Sequence, residues 1–179
     1  MRRVWIGLLV VAVLASVWYG VTRRSPAPPA PGGARGDSAG TGLKAVRLFF
    51  ASPDGDSLVS ETREILEQSN LHERVAALVA ELDRGPRGGG VAALPAGTAV
   101  LHAYLDEGGG LTLDLSRAFE QGFRGGAMTE YAAVASLVRT LGANLPEVKR
   151  VLLVCGGAPL ATLGGHVPLD QPFDVSEWL

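Results

Sequence analysis

A helix with one apolar face that must stop at Leu145-Pro146, followed at once by the apolar run Val151 to Cys155, constrains this chain more than any other stretch. Tyr131, Val134, Leu137, Val138 and Leu141 recur at helical spacing, with Glu130 and Arg139 off that face, so the segment predicts an amphipathic helix that needs a surface to pack on. Val151-Leu152-Leu153-Val154-Cys155, closed by Gly156-Gly157, is aliphatic and partly β-branched. Such a run predicts a strand buried on both faces, and a strand of that kind lies inside a sheet.

The elements before it read in order. Ala45 to Ala51 predicts a first strand, ended by the turn signal Ser52-Pro53-Asp54-Gly55, and Leu58 to Leu66 reads as an extended segment. Asn70 stands three residues before Glu73, a helix N-cap pattern, and Leu71, Val75, Leu78, Val79 and Leu82 give the apolar stripe of a helix that Gly85-Pro86 ends. Val100 to Leu105 and Leu111 to Leu115 flank Asp106-Glu107-Gly108-Gly109-Gly110 and predict a β-hairpin. In its second arm Leu111, Leu113 and Leu115 alternate with Thr112 and Asp114, so one face is buried and the other wetter. Ser116 to Gly126 reads as turn-rich, and Pro159 to Leu179 as an irregular tail with at most one short strand. The expected fold is α+β: a single domain with two helices packed on one mixed β-sheet in the order β-α-β-β-α-β.

Ahead of this domain, Val4 to Thr22 is uncharged and mostly apolar, and as a helix it would span about 28 Å, near the thickness of a bilayer core. Residues 1–24 are therefore expected to form an N-terminal transmembrane anchor, with Trp5, Trp18 and Tyr19 at the two interfaces. A cleaved signal peptide is the alternative, since Arg2-Arg3 is a charged start and Val13-Leu14-Ala15 resembles a cleavage site. Ala12, Ser16 and Gly20 form a column of small residues along which two anchors can pack. Residues 25–42, with four prolines and then five glycines, are expected to be a disordered tether, leaving residues 43–179 as the domain. The expected location is the cell membrane, single-pass, with the domain on the extracytoplasmic side, or a cleaved and secreted form.

Of the chain's 16 basic and 18 acidic residues, five arginines and Asp37 precede Leu43, so the domain carries 11 basic against 17 acidic residues, a net charge of −6. That balance opposes nucleic acid as a partner, because phosphate binding needs a basic footprint. Cys155 is the only cysteine, which excludes an internal disulfide and a lipid-modified cysteine after the apolar run.

No motif carries a reaction. Gly85 to Gly90 is glycine-rich but follows a helix and lacks the Lys-Ser/Thr of a phosphate loop. Gly156-Gly157 follows a strand but is succeeded by Ala158-Pro159. His72, His102 and His166 are scattered without metal-binding spacing, and Asp54 with Asp56 lacks the later ligands of a calcium loop. Asp114 and Ser116 share a strand face and with His166 or His102 could compose an acyl-transfer site, but no nucleophile elbow is present. Ser116 reads instead as a cap on the turn that follows and Asp114 as an acceptor of backbone N–H groups there. Glu61-Thr62-Arg63-Glu64 reads as a solvated or edge-guarding charge cluster. No catalytic, cofactor-binding or metal-binding residue is assigned, and no cofactor is expected.

In order along the chain, Leu48-Phe49-Phe50, Glu61-Thr62-Arg63, Leu82 with Gly85-Pro86, Leu94-Pro95-Ala96-Gly97-Thr98, Asp114-Leu115-Ser116 with Phe119, Glu130, Thr140-Leu141, Val148 to Val154, and Gly165-His166 with Leu169 resemble the GerMN domain, a bacterial module named for a spore germination and sporulation protein. The resemblance runs from Leu48 to Pro172. It implies an extracytoplasmic domain that assembles into or supports envelope protein complexes, with an α/β fold similar to the ring-building motifs of secretion-type assemblies. It carries over no catalytic residues; Gly85-Pro86, Leu94-Pro95 and Asp114-Leu115-Ser116 match as fold-setting turns. The sequence differs from the founding protein in having one such domain and no lipobox cysteine. Two classes of function follow. One is a membrane-anchored, non-enzymatic interaction module whose partners are envelope proteins or another copy of itself. The other is an envelope hydrolase using Asp114, Ser116 or Glu61, with peptidoglycan binding without turnover between them.

Overall fold

The computed structural model of the chain describes residues 42–178. The expected anchor, all but the last residue of the tether, and Leu179 lie outside the described residues. Among the described residues no helix is long and apolar enough to cross a membrane.

Strand β1 (Leu43–Ala51) and strand β2 (Leu58–Leu66) form an antiparallel hairpin in continuous register from Leu43 opposite Leu66 to Ala51 opposite Leu58. The turn between them is held by Ser52: its carbonyl accepts the Gly55 N–H at 3.0 Å and its hydroxyl accepts the Ser57 N–H at 3.3 Å. Gly55 has φ +76°, which explains the glycine. Helix α1 (Leu71–Asp83) starts where the N-cap pattern places it, with the Asn70 side chain accepting the Glu73 N–H at 2.9 Å, and Val75, Leu78, Val79 and Leu82 are buried.

Strands β3 (Val100–Leu105) and β4 (Gly110–Leu115) form the expected second hairpin, with a bulge between Val100 and His102. After β4 the chain makes one turn of helix, α2 (Ala118–Gln121), then the long helix α3 (Ala127–Asn144), and returns as β5 (Arg150–Cys155) parallel to β4. A parallel neighbour requires such a crossover, which is why the helix intervenes. Two short strands, β6 (Ala158–Pro159) and β7 (Phe173–Asp174), pair antiparallel with opposite ends of β5, and a 3-10 turn (Val175–Glu177) follows. The tail thus holds two short strands, one more than its composition suggests.

The main core joins Leu111, Leu113 and Leu115 of β4 to Val151 and Leu153 of β5, with α1, α3 and the inner face of the first hairpin (Val46, Leu48, Phe50) closing over them.

The domain is α+β with a mixed sheet, as expected, but it has two sheets instead of one: β1-β2 stands apart from the five-stranded sheet. The reason lies at the second edge of β1, which is already occupied. Ser136, Thr140 and Asn144, spaced four apart along α3, present one polar column to it. The Ser136 hydroxyl donates to the Phe49 carbonyl (2.6 Å) and the Thr140 hydroxyl accepts the Phe49 N–H (3.1 Å). The Asn144 amide both accepts from and donates to the Arg47 backbone, at 2.9 and 2.7 Å. One step further, Ala51 exchanges N–H···O bonds with Val91 at 3.1 and 2.8 Å. Arg47, Phe49 and Ala51 are therefore satisfied by groups outside any sheet, and no third strand can join there.

Three further expectations change. Glu130, expected off the apolar face, is wholly buried because it stands in helical phase with Val134, Leu137 and Leu141, and Tyr131 is 52 % exposed, stacked on Trp178 with ring centroids 5.0 Å apart. Strand β5 is not buried on both faces: Val151, Leu153 and Cys155 are buried, while Leu152 and Val154 are only half-buried. On the outer face of the sheet Asp114 is buried and Thr112, Leu152 and Val154 are half-buried, while Tyr104 on the edge strand β3 is 68 % exposed.

Candidate functional site

The hydrogen-bonding phase of β1 fixes that of β2. In an antiparallel ladder, residues that turn their backbone groups away from each other stand opposite one another. Since Ala51, Phe49 and Arg47 face away from β2, their opposites Leu58, Ser60 and Thr62 face away from β1, and so does Glu64 by the same period. No protein group among the described residues pairs with the outward N–H and C=O groups of Leu58, Ser60, Thr62 and Glu64. The side chains of Ser60, Thr62 and Glu64 are exposed. The result is a continuous, unbulged strand edge, the backbone template to which another strand adds.

Beneath this edge lies an ionic network that ties β2 to α1 and the loop after it. The predicted charge cluster splits by strand alternation: Thr62 and Glu64 point outward, whereas Arg63 is 4 % exposed and Glu61 half-buried. Arg63 Nη1 donates to the Glu81 carboxylate (3.0 Å) and carbonyl (3.1 Å), and Nη2 donates to Glu61 (2.8 Å) and to the Gly85 carbonyl (2.7 Å). Its guanidinium carbon sits 5.1 Å from the centre of the Phe50 ring. Glu61 also accepts the backbone N–H groups of Arg87 (2.9 Å) and Gly88 (2.6 Å), and Arg84 pairs with Glu81. Burial disfavours the Glu61 charge, but Arg63 and the two N–H groups together outweigh it and hold the carboxyl below its ordinary value. Burial likewise opposes the Arg63 charge, and the two glutamates raise it above the ordinary value. Within this network only Arg63 Nε is buried with no acceptor.

The residues imagined as an acyl-transfer site are not assembled into one. Asp114 accepts the Gly157 N–H at 3.0 Å, so it anchors the turn after β5 instead of the turn after β4. Ser116 reaches backward too: its hydroxyl donates to the Gly97 carbonyl and accepts the Ala99 N–H, both at 3.1 Å. His102 stands opposite Asp114 in register, exposed on the sheet's outer face, and no hydrogen bond joins them. His166 is occupied elsewhere. Its Nδ1 lies 3.1 Å from Glu130, whose two oxygens also accept the N–H groups of Leu163 (2.8 Å) and His166 (2.9 Å). Burial pushes the Glu130 carboxyl up, yet the backbone N–H groups of Gly164, Leu163, His166 and Val167 outweigh it and bring it down to about 2. Gly164 permits this cradle, since a Cβ there would lie 2.9 Å from Phe123 Cε1 and 3.1 Å from Glu130 Oε2. Cys155 is buried, which pushes its thiol up, away from nucleophilic reactivity. Among the described residues no group of three or more His, Cys, Asp and Glu converges on a metal position.

Of these features, the alternation that buries Arg63 is visible in the sequence once Val46, Leu48 and Phe50 are paired with Arg63, Glu61 and Val59. The openness of the β2 edge has a signal only in the fourfold spacing of Ser136, Thr140 and Asn144, and the Glu130 cradle has none.

Fold and surface together define a single α+β domain with a mixed sheet, polar side chains spent on tying backbone segments, and strand edges at β2 and β3 that no group among the described residues pairs with, the one on β2 being the longer and free of bulges. Residues 47–161 match the Germane family, described as sporulation and spore germination, and the chain belongs to that family. Solved structures share the fold. The tandem GerMN domains of the sporulation protein GerM from Bacillus subtilis align at 19% identity with a TM-score of 0.61, over 76% of this chain and 48% of that one. The first GerMN domain of the same protein aligns at 20% identity and 0.54, over 75% and 98%. A candidate lipoprotein of Clostridium perfringens aligns at 21% identity and 0.54, over 76% and 90%. No curated protein matches the chain.

Proposed function

We propose that this protein is a non-enzymatic interaction module of the bacterial envelope, carried on an N-terminal membrane anchor and a Pro/Gly tether, which supports a sporulation-type or other envelope protein complex through the edge of β2. The observation that carries the reading is the run of unpaired backbone groups on β2, backed by the buried Arg63 network. Membership in the Germane family supports the setting, and the lipoprotein description of one structural relative agrees with an extracytoplasmic location. The hydrolase alternative has little to draw on, because Glu61 and Asp114 both accept backbone N–H groups and stand on different sheets.

The test is a photo-crosslinking amino acid in place of Ser60 in the full chain, expressed in its membrane. Reproducible adducts with envelope proteins or with itself are expected, and a second substitution, Thr62→Pro, should suppress them. The Thr62 N–H faces away from β1, so proline there spares the hairpin ladder while spoiling the edge. Adducts that persist with Thr62→Pro, or that form equally from Tyr104 on the other sheet, would sink this reading.

Peptidoglycan binding without turnover is a second reading, favoured by one feature. A groove of about 370 Å³ runs between the β1-β2 turn and α3, where Tyr131 and Trp178 stand beside Asp56, Arg139 and Glu177. Aromatic faces flanked by charged hydrogen-bonding groups suit a polar ring. Retention of the full chain on purified cell wall, lost on Tyr131→Ala, is the outcome this reading requires.

A further inference from the structure

We infer that the partner fitted by the β2 edge is a second copy of this chain, joined β2 to β2 in antiparallel register about a twofold axis at Thr62; the inference rests on the interaction reading above and adds the identity of the partner. Strand β2 runs Leu58-Val59-Ser60-Glu61-Thr62-Arg63-Glu64-Ile65-Leu66. Laid against itself end for end, it places Leu58 opposite Leu66, Val59 opposite Ile65, Ser60 opposite Glu64, Glu61 opposite Arg63, and Thr62 opposite its own copy. Apolar residues meet apolar residues at both ends, and opposite charges meet on either side of the axis. Cross-strand pairs of these kinds stabilise a sheet, and like charges directly opposite destabilise it.

The backbone phase agrees. The residues with outward N–H and C=O groups, Leu58, Ser60, Thr62 and Glu64, meet only residues of the same parity, so each matched pair can exchange two hydrogen bonds. The neighbouring registers that keep this parity are worse. Moving the axis to residue 61 sets Glu61 against its own copy and Leu58 against Glu64, and moving it to residue 63 sets Arg63 against its own copy and Ser60 against Leu66. Register is thus selected by repulsion as well as attraction. In the favoured register Glu61 of the second copy stands opposite Arg63, whose Nε has no acceptor among the described residues. Growth also stops at two copies: the far edge of β1 is filled by α3 and Val91, so the joined sheet β1-β2-β2-β1 is capped at both ends and cannot extend into a fibre.

Cysteine crosslinking of the full chain in its membrane, in a Cys155→Ser background, tests the register. Thr62→Cys should yield a disulfide-linked dimer, because a hydrogen-bonded antiparallel pair brings Cα atoms to about 5.5 Å, inside disulfide range. Ser60→Cys and Glu64→Cys alone hold like cysteines about 13 Å apart and should give roughly a tenth of that yield or less. The S60C/E64C double variant should restore it, and adding Thr62→Lys to that double variant should cut the dimer about five-fold by setting two ammonium groups face to face. No dimer from Thr62→Cys, or equal dimer from Ser60→Cys alone, overturns the inference. If photo-adducts from position 60 to other envelope proteins persist in that case, the interaction reading stands and only the second copy as partner falls.

Discussion

Replacing Glu130 by Gln removes one charge from a fully buried carboxylate and leaves its shape. Glu130 accepts backbone N–H groups on both oxygens, so the amide of Gln must point its NH₂ at a donor whichever way it turns. The size of the loss follows from the proton equilibrium: the carboxyl titrates at about 2 in the folded chain against an ordinary 4.5. At about 1.4 kcal/mol for each tenfold change in proton affinity, that gap contributes roughly 3 kcal/mol of stability at neutral pH. The sign is that of a depressed acid. The contribution is complete above 4.5 and is lost progressively as pH falls from there to about 2. Urea unfolding of wild type and Glu130→Gln, followed by far-UV circular dichroism at a series of pH values, should give a stability difference of roughly 3 kcal/mol at pH 7 that narrows steadily below pH 4.5. Other depressed carboxyls such as Glu61 affect both proteins alike and cancel in the difference. A difference under about 0.5 kcal/mol at pH 7, or one that is flat with pH, would refute the cradle as the source of the shift.

Two more substitutions probe the other polar ties. Thr140→Val leaves the buried Phe49 N–H without an acceptor and should cost about 1–3 kcal/mol in the same unfolding assay, with the fold retained at neutral pH. Arg63→Leu leaves Glu61 without its cation and Glu81 with only the exposed Arg84 and Arg87, and should cost roughly 3 kcal/mol; the triple variant R63L/E61L/E81L should recover much of that loss, and no recovery would mean the network is not the destabilised element.

The parts legible in the sequence are those set by short-range chemistry. Asn70 and Glu73 mark the start of α1, Leu145-Pro146 the end of α3, and the glycines after Asp106 the turn between β3 and β4, where a Cβ on Gly110 would lie 2.5 Å from the Asp106 carboxylate. What could not be read is set by distant partners. Glu130 stands in helical phase with Val134, Leu137 and Leu141, but its charge argues for exposure because the donors that satisfy it lie more than thirty residues away, in the 163–167 loop. Tyr131 looks buried because nothing local says that Trp178 will cover one face of it in the open. The division into two sheets depends on α3 taking the place of a strand beside β1, and Ser136 and Thr140 read locally as ordinary small polar residues of a helix. The candidate site shares this origin: an edge is free or filled according to what the rest of the chain brings to it.

The parallel pairing of β4 with β5 dictates an order of events when the chain comes off the ribosome. Both hairpins join neighbours in sequence and can close within microseconds, whereas β5 reaches β4 only after residues 116–149 have emerged and coiled. Until then Leu111, Leu113 and Leu115 have β3 at one side only and neither β5 nor α3 packed on them, and the half-made domain is at its stickiest. A nascent chain stalled just short of Val151 is the species a chaperone would grip.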